Sequence, residues 1–116
     1  MSAQTTNSAI TCAIEKGRPL KIPIAHGEGR YYADDKTISG LVAHDQILFK
    51  YCDAKGDVVP EVNPNGALLN IAGICNQNRN VFGMMPHPER AADPELSNTD
   101  GRLVFESILH HCDVAV

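Results

Sequence analysis

Residues 69–75 and 81–85 are two short apolar runs separated by the five polar residues Asn76-Gln77-Asn78-Arg79-Asn80, and Pro86-His87-Pro88-Glu89-Arg90 follows at once. That spacing constrains the fold more than any other feature of the chain. A connection so short and so rich in turn formers predicts an antiparallel pair, since parallel strands need a crossover of about a dozen residues or more. Each proline fixes its own φ and biases the residue before it toward extended backbone, so His87 falls in a stiff loop at the end of a strand. Strand ends are where open α/β sheets place their ligand sites.

The rest of the chain reads less sharply. Leu20, Ile22 and Ile24 alternate with other residues and predict a strand over residues 19–25, irregular or at an edge because it holds Pro19 and Pro23. A loop through Ala25-His26-Gly27-Glu28-Gly29-Arg30 follows, and Tyr31-Tyr32 resumes extended geometry. Asp34 or Asp35 caps a helix that runs to about Ala43, with Ile38, Leu41 and Val42 facing inward. Residues 46–51 predict a strand, residues 53–57 a hairpin-type turn into Val58-Val59, and Asn63-Pro64-Asn65-Gly66 a further turn. Residues 91–98 read as irregular. Thr99 or Asp100 then caps a final helix with an apolar stripe of Leu103, Val104, Ile108 and Leu109. Residues 1–10 are polar and short-chained, which predicts a loop or frayed terminus.

This layout sets about five strands against two helices, whereas parallel strands need crossover helices on both faces. Either the sheet is largely antiparallel, or further helices belong to another part of a longer chain. With 116 residues, 43% of them hydrophobic, the chain suits one domain. Its net charge of -4 argues against a nucleic-acid or anionic-membrane partner. No apolar stretch approaches a membrane span, and Met1-Ser2-Ala3-Gln4-Thr5-Thr6 lacks the charged-then-apolar pattern of a secretion signal, which points to the cytoplasm. Cys12, Cys52, Cys75 and Cys112 are unevenly spaced and form no CxxC pair, which favours reduced structural thiols over disulfides or zinc.

Two constellations carry chemistry. His87 with Glu89 sets an imidazole beside a carboxylate able to fix its tautomer, which is the make-up of a general base. The bland alternative is a histidine that satisfies a loop by bonding to backbone. His26-Gly27-Glu28-Gly29-Arg30 sets three polar functions on a loop whose glycines allow close backbone approach to a ligand or partner; a glycine-relaxed turn with a surface Glu28–Arg30 pair is the alternative. The two His-x-Glu elements could together suggest a metal held by His26, Glu28, His87 and Glu89, but this spacing matches neither a helical histidine pair nor a cysteine-rich site. No metal or cofactor is expected. His44, His110 and His111 read as residues of helix ends, where cations are favourable. Met84 and Met85 read as one core residue and one lining residue.

Taken in order, Ile22-Pro23-Ile24-Ala25-His26-Gly27-Glu28-Gly29-Arg30-Tyr31-Tyr32, Asn63-Pro64-Asn65-Gly66 with Asn70-Ile71-Ala72-Gly73-Ile74, and Gly83-Met84-Met85-Pro86-His87-Pro88-Glu89-Arg90-Ala91 resemble the glutaminase subunits of phosphoribosylformylglycinamidine synthases. These are class I glutamine amidotransferases of purine biosynthesis. The resemblance runs from about Asn7 to the end, and it covers only the C-terminal half of the family. It implies a partial, flavodoxin-like α/β/α amidotransferase domain over residues 1–116, strand-rich and with two main helices.

In that family a cysteine attacks the side-chain amide of glutamine, forming a glutamyl thioester and releasing ammonia, and water then frees glutamate. The ammonia passes to a synthetase subunit that uses ATP and Mg to convert formylglycinamide ribonucleotide into its amidine; a small accessory subunit completes the enzyme. By resemblance His87 is the base and Glu89 its orienting carboxylate, and the loop His26-Gly27-Glu28-Gly29-Arg30 faces substrate or partner. The glycine-flanked nucleophilic cysteine lies in the half that is not matched, and none of the four cysteines stands in such a setting. The expectation is a chain without glutaminase activity of its own. The competing expectation is a non-catalytic module that docks on the synthetase subunit. A half-domain should also leave apolar surface and a sheet edge uncovered and so self-associate.

Overall fold

A computed structural model describes residues 1–23, 33–63, 68–92 and 99–115, with side chains through His110. The loop His26-Gly27-Glu28-Gly29-Arg30, Tyr31-Tyr32 and most of the Asn63-Pro64-Asn65-Gly66 turn lie outside the described residues. The elements in chain order are β1 (Ser2–Ala3), α1 (Asp35–Ala43), β2 (Ile47–Lys50), β3 (Ile71–Cys75), β4 (Phe82–Met84) and α2 (Arg102–Ala115). Short 3-10 turns occupy Pro60–Val62, Leu68–Asn70 and Pro88–Ala91. The four strands form one sheet in the order β1-β2-β3-β4. All three pairings are antiparallel, with Ala3 opposite Phe49, Phe49 opposite Gly73 and Gly73 opposite Met84. Of the two outcomes left open by the strand count, the described sheet takes the antiparallel one.

Helix α1 forms because Asp34 takes extended backbone and its carboxylate accepts from the Thr37 N–H at 2.8 Å. It stops in a Schellman motif. Asp45 adopts a φ of +55°, the Gln46 N–H reaches Leu41 O at 2.9 Å and the Asp45 N–H reaches Val42 O at 3.3 Å. This closure turns the chain directly into β2. Leu41 is buried and Ile38 partly so, but Val42 is 60% exposed and does not face inward as expected.

Two apolar clusters flank the sheet. The larger joins Ile10, Ile14 and Leu20 to Leu48, Phe49, Tyr51, Ala72 and Val104; the smaller joins Leu41, Ile47 and Ile71. Successive residues Ile71 and Ala72 feed different clusters, as the two-residue pleat requires.

The structure corrects several expectations. Residues 1–10 are not frayed. Ser2 and Ala3 are fully buried in β1, Ile10 joins the core, and hydroxyls find partners: Thr5 Oγ1 donates to Asp45 Oδ2 at 2.5 Å and Ser8 Oγ accepts from the Ile10 N–H at 3.1 Å. The strand expected over residues 19–25 is, among its described residues, a single bridge between Pro19 and Ser2. The prolines leave too few N–H donors for a continuous ladder. The Asp53 turn forms, with Gly56 at a φ of +87°, but Val58 and Val59 are not a strand. Helix α2 begins later than residue 99 or 100 would place it, and half of its expected stripe is exposed: Ile108 at 38% and Leu109 at 67%. Its buried residues include Val104 and the small Ser107, whose hydroxyl donates to Leu103 O at 2.8 Å and accepts from the Ala13 N–H at 3.0 Å. Space against the N-terminal segment, and not apolarity, selects that face.

Candidate functional site

Strand β4 delivers the proline-bracketed histidine. Its pairing with β3 extends one residue past the strand, where the Met85 N–H donates to Ala72 O at 3.0 Å. Pro86 is buried, and His87 then takes an extended conformation with φ -103° and ψ 94°. Two backbone bonds fix it there. The His87 N–H donates to Pro23 O at 2.8 Å, and its carbonyl accepts from the Arg90 N–H at 3.0 Å. The second bond closes the 3-10 turn Pro88–Ala91, which proline at its first position favours.

Inside this turn the His87 and Glu89 side chains meet, with Nδ1 to Oε1 at 2.8 Å. The imidazole is 36% exposed and the carboxylate 59%, so the pair sits at the surface. A hydrogen bond from its own backbone N–H, followed by the bond from His87, holds the Glu89 carboxyl below the usual carboxylate range. An ionised carboxylate can only accept, so the proton of this bond belongs to Nδ1. In the neutral imidazole Nε2 is then left as an acceptor, and among the described residues nothing bonds to it. That is the arrangement of a general base with an oriented second nitrogen.

Beside the loop, Ile71–Ile74 on β3 and residues 83–85 line an open, largely apolar cleft of about 340 Å³. Both methionines line it, and Met84 also packs against the larger core. A larger cleft of about 460 Å³ lies elsewhere, between Met1, Leu20, Cys52, Asp53 and Asp100, and does not include His87.

The other expected candidates are not brought to this site by the described residues. His26, Gly27, Glu28, Gly29 and Arg30 lie outside them, and no group of three or more His, Cys, Asp or Glu able to hold a metal occurs among the described residues. His44 ends α1, its Nδ1 against Gly40 O at 2.9 Å. Cys12, Cys52 and Cys75 are free thiols. Cys12 Sγ donates to Ser107 O at 3.1 Å. Cys75 lies opposite Phe82 at the far end of the hairpin, and burial pushes its thiol up. Five residue steps separate Phe82 from His87, about 16 Å at the rise of a strand.

Sequence reasoning missed the Pro23 carbonyl and the role of Gly101. Pro23 was placed in an extended segment, but nothing in the residues marked its partner. A glycine directly before the final helix was a usable signal, since the first residues of α2 press on the histidine loop there: the Gly101 N–H donates to Ala91 O at 2.9 Å.

Among the described residues no helix is long and apolar enough to cross a membrane. Residues 1–104 match the model of the CobB/CobQ-like glutamine amidotransferase domain. The phosphoribosylformylglycinamidine synthase subunit PurQ of Acaryochloris marina is 54% identical over 107 residues, which is 92% of this chain and 46% of that protein. PurQ of Chlorobium chlorochromatii is 51% identical over 114 residues, covering 93% of this chain and 49% of the relative. The chain therefore spans about half the length of the curated relatives it matches, as their C-terminal portion. The solved structure of PurLQS from Thermotoga maritima superposes with a TM-score of 0.75 at 37% identity, over 96% of this chain and 44% of that one. With residues 1–104 on the family model and half-identical relatives along most of its length, the chain belongs to the CobB/CobQ-like glutamine amidotransferase family.

Proposed function

We propose that this chain is the histidine–glutamate part of a glutamine-hydrolysing centre, within a partial amidotransferase domain that serves purine biosynthesis. The 2.8 Å contact between His87 Nδ1 and Glu89 Oε1 carries the reading. Nε2 of His87 takes the proton of a cysteine thiol, and the thiolate attacks the carboxamide carbon of glutamine. As the C–N bond breaks, the imidazolium returns its proton to the leaving nitrogen and ammonia departs. A thioester remains. His87 then deprotonates a water that attacks the thioester carbonyl, releasing glutamate and restoring the thiol. Glu89 holds Nδ1–H throughout and stabilises the transient imidazolium without taking its proton.

The nucleophile in this reading comes from outside the chain. Cys75 is buried at the opposite end of the hairpin with a raised thiol, and Cys12 faces Ser107. Burial disfavours the thiolate form of Cys75. The likeness to PurQ and to PurLQS supports the wider assignment. In it the ammonia feeds a synthetase subunit that uses ATP and Mg to make formylglycinamidine ribonucleotide, a small accessory subunit joins them, and the assembly works in the cytoplasm.

A glutamate-release assay tests the centre. The 116-residue chain alone is expected to show no turnover. Mixed with the remaining portion of a PurQ relative that carries the cysteine, it is expected to release glutamate, and His87→Ala to abolish that release. Turnover by the lone chain that His87→Ala removes would overturn the external nucleophile. Turnover in the mixture that His87→Ala leaves intact would overturn the role of the base.

A further inference from the structure

The turn that holds His87 and Glu89 rests on the start of α2 at one point. Gly101, the residue before Arg102, is buried, and its N–H donates to Ala91 O at 2.9 Å. A Cβ built on Gly101 would stand 2.1 Å from the Pro88 carbonyl oxygen, 2.8 Å from its carbon and 2.9 Å from its Cα. Side-chain carbons do not approach backbone that closely, and packed interiors have no slack to yield. Pro88 is the residue between His87 and Glu89. Its ring fixes its own φ, so displacement of its carbonyl falls on ψ of Pro88 and on the flanking torsions, ψ of His87 and φ of Glu89. Those torsions set the bond between the two side chains. The turn cannot escape as a rigid body, because the His87 N–H is tied to Pro23 O at 2.8 Å on the other side.

We propose that Gly101 is a positioning residue for the His87–Glu89 pair: the absence of a side chain at 101 lets α2 hold the Pro88 carbonyl where imidazole and carboxylate meet. The use of that pair rests on the amidotransferase reading; the positioning is a separate claim with its own readout.

The test is nitrogen NMR of the histidine rings in the isotope-labelled 116-residue chain, with His87 assigned by loss of its signals in His87→Gln. The unsubstituted chain is expected to hold neutral His87 as the Nδ1–H tautomer. Gly101→Ala is expected to relax it to the mixed tautomers of an unconstrained imidazole, matching Glu89→Gln. Gly40→Ala, whose added Cβ meets nothing within 4 Å, is the control for a glycine replacement and is expected to leave the tautomer unchanged. A folded Gly101→Ala chain that keeps the Nδ1–H tautomer overturns the proposal. If Gly101→Ala does not fold, native-state hydrogen exchange on the unsubstituted chain decides. The Gly101 amide and the His87 Nδ1–H are expected to open together as urea is raised, and a His87–Glu89 bond that survives opening of Gly101 overturns it. Glutaminase failure with the tautomer intact would count against the catalytic reading alone. Loss of the tautomer result with glutaminase intact would count against Gly101 alone.

Discussion

The β3–β4 hairpin ends in two polar clusters that differ in what they bind. At the turn end, Asn76 Oδ1 accepts from the Asn80 and Val81 N–H groups at 3.0 Å each, and the Arg79 guanidinium reaches out to three carbonyls. Nε donates to Asn7 O at 2.5 Å, and the two terminal nitrogens donate to His44 O at 3.2 Å and Asp45 O at 2.9 Å. One side chain thereby staples the N-terminal segment, the end of α1 and the hairpin turn. At the other end the backbone of His87 is tied down just as firmly, while its ring engages one acceptor and keeps Nε2 uncommitted among the described residues. A cluster that spends its donors on carbonyls of neighbouring segments stabilises; a cluster held rigid with one nitrogen left over can do chemistry. Substitutions at the two ends should separate these effects.

The largest loss of stability is expected at Arg79. Its side chain is 19% exposed, and removing it takes the donors from three carbonyls in two segments at once. With hydrogen bonds to charged groups contributing about 1.5–3 kcal/mol each and sharing one side chain, Arg79→Ala is expected to cost about 3 kcal/mol in urea unfolding. The carboxylate of Asp45, 4.0 Å from the guanidinium and 55% exposed, adds little. Arg79→Lys should recover only a minor part, since an ammonium cannot span three acceptors as the planar fork does. Arg79 also has a φ of +58°. Arg79→Gly should therefore be less harmful than Arg79→Ala by about 1 kcal/mol, because glycine takes that conformation without strain. Equal destabilisation by the two variants would dismiss backbone strain, and a loss below about 1 kcal/mol for Arg79→Ala would dismiss the staple.

Midway along the hairpin the expected effect is smaller. A Cβ at Gly73 would meet Phe49 Cδ2 at 3.0 Å and Met84 Cβ at 3.2 Å. Gly73→Ala must push the fully buried Phe49 aside, and overpacking of this kind costs about 1–3 kcal/mol. The readout is the unfolding midpoint. An unchanged midpoint would mean that the sheet opens there freely, which the pairing of Gly73 with both Phe49 and Met84 argues against.

How much of this was legible from residues alone depends on how far each interaction reaches along the chain. The hairpin, its turn and the His87–Glu89 contact are local, and short-range pattern carries them: turn formers between two apolar runs, and two prolines that restrict the backbone. Helix α1 was legible for the same reason, since Asp34 and Thr37 are three residues apart. The Arg79 staple was invisible because its partners are backbone carbonyls up to 72 residues away, and any residue type supplies a carbonyl. The N-terminal segment misled because Ser2, Thr5, Ser8 and Thr11 are buried, their polarity suggesting solvent while several of their hydroxyls bond nearby. Helix α2 misled in the opposite direction. Its stripe is apolar, yet Ser107 is fully buried and Leu109 is exposed, because the neighbouring segment chooses the face.

The smallest effect on stability belongs to Glu89, where the consequence for chemistry is greatest. Its carboxylate is exposed, so Glu89→Gln should lower the unfolding midpoint at neutral pH by a small but resolvable amount while abolishing glutamate release in the complemented assay. The pH dependence gives a sharper check. The folded carboxyl ionises below its ordinary value, so whatever stability the pairing contributes is present above the ordinary carboxylate range and is lost as pH falls through the lowered folded value. Glutamine does not titrate and lacks this acid limb. The difference in thermal midpoint between the two chains should therefore shrink toward zero as pH falls below the ordinary carboxylate range. A difference that stays constant on acidification would mean that the folded Glu89 carboxyl is not held ionised by its own N–H and by His87. The hairpin would then present a stiff histidine at its far end without the carboxylate that makes it a base.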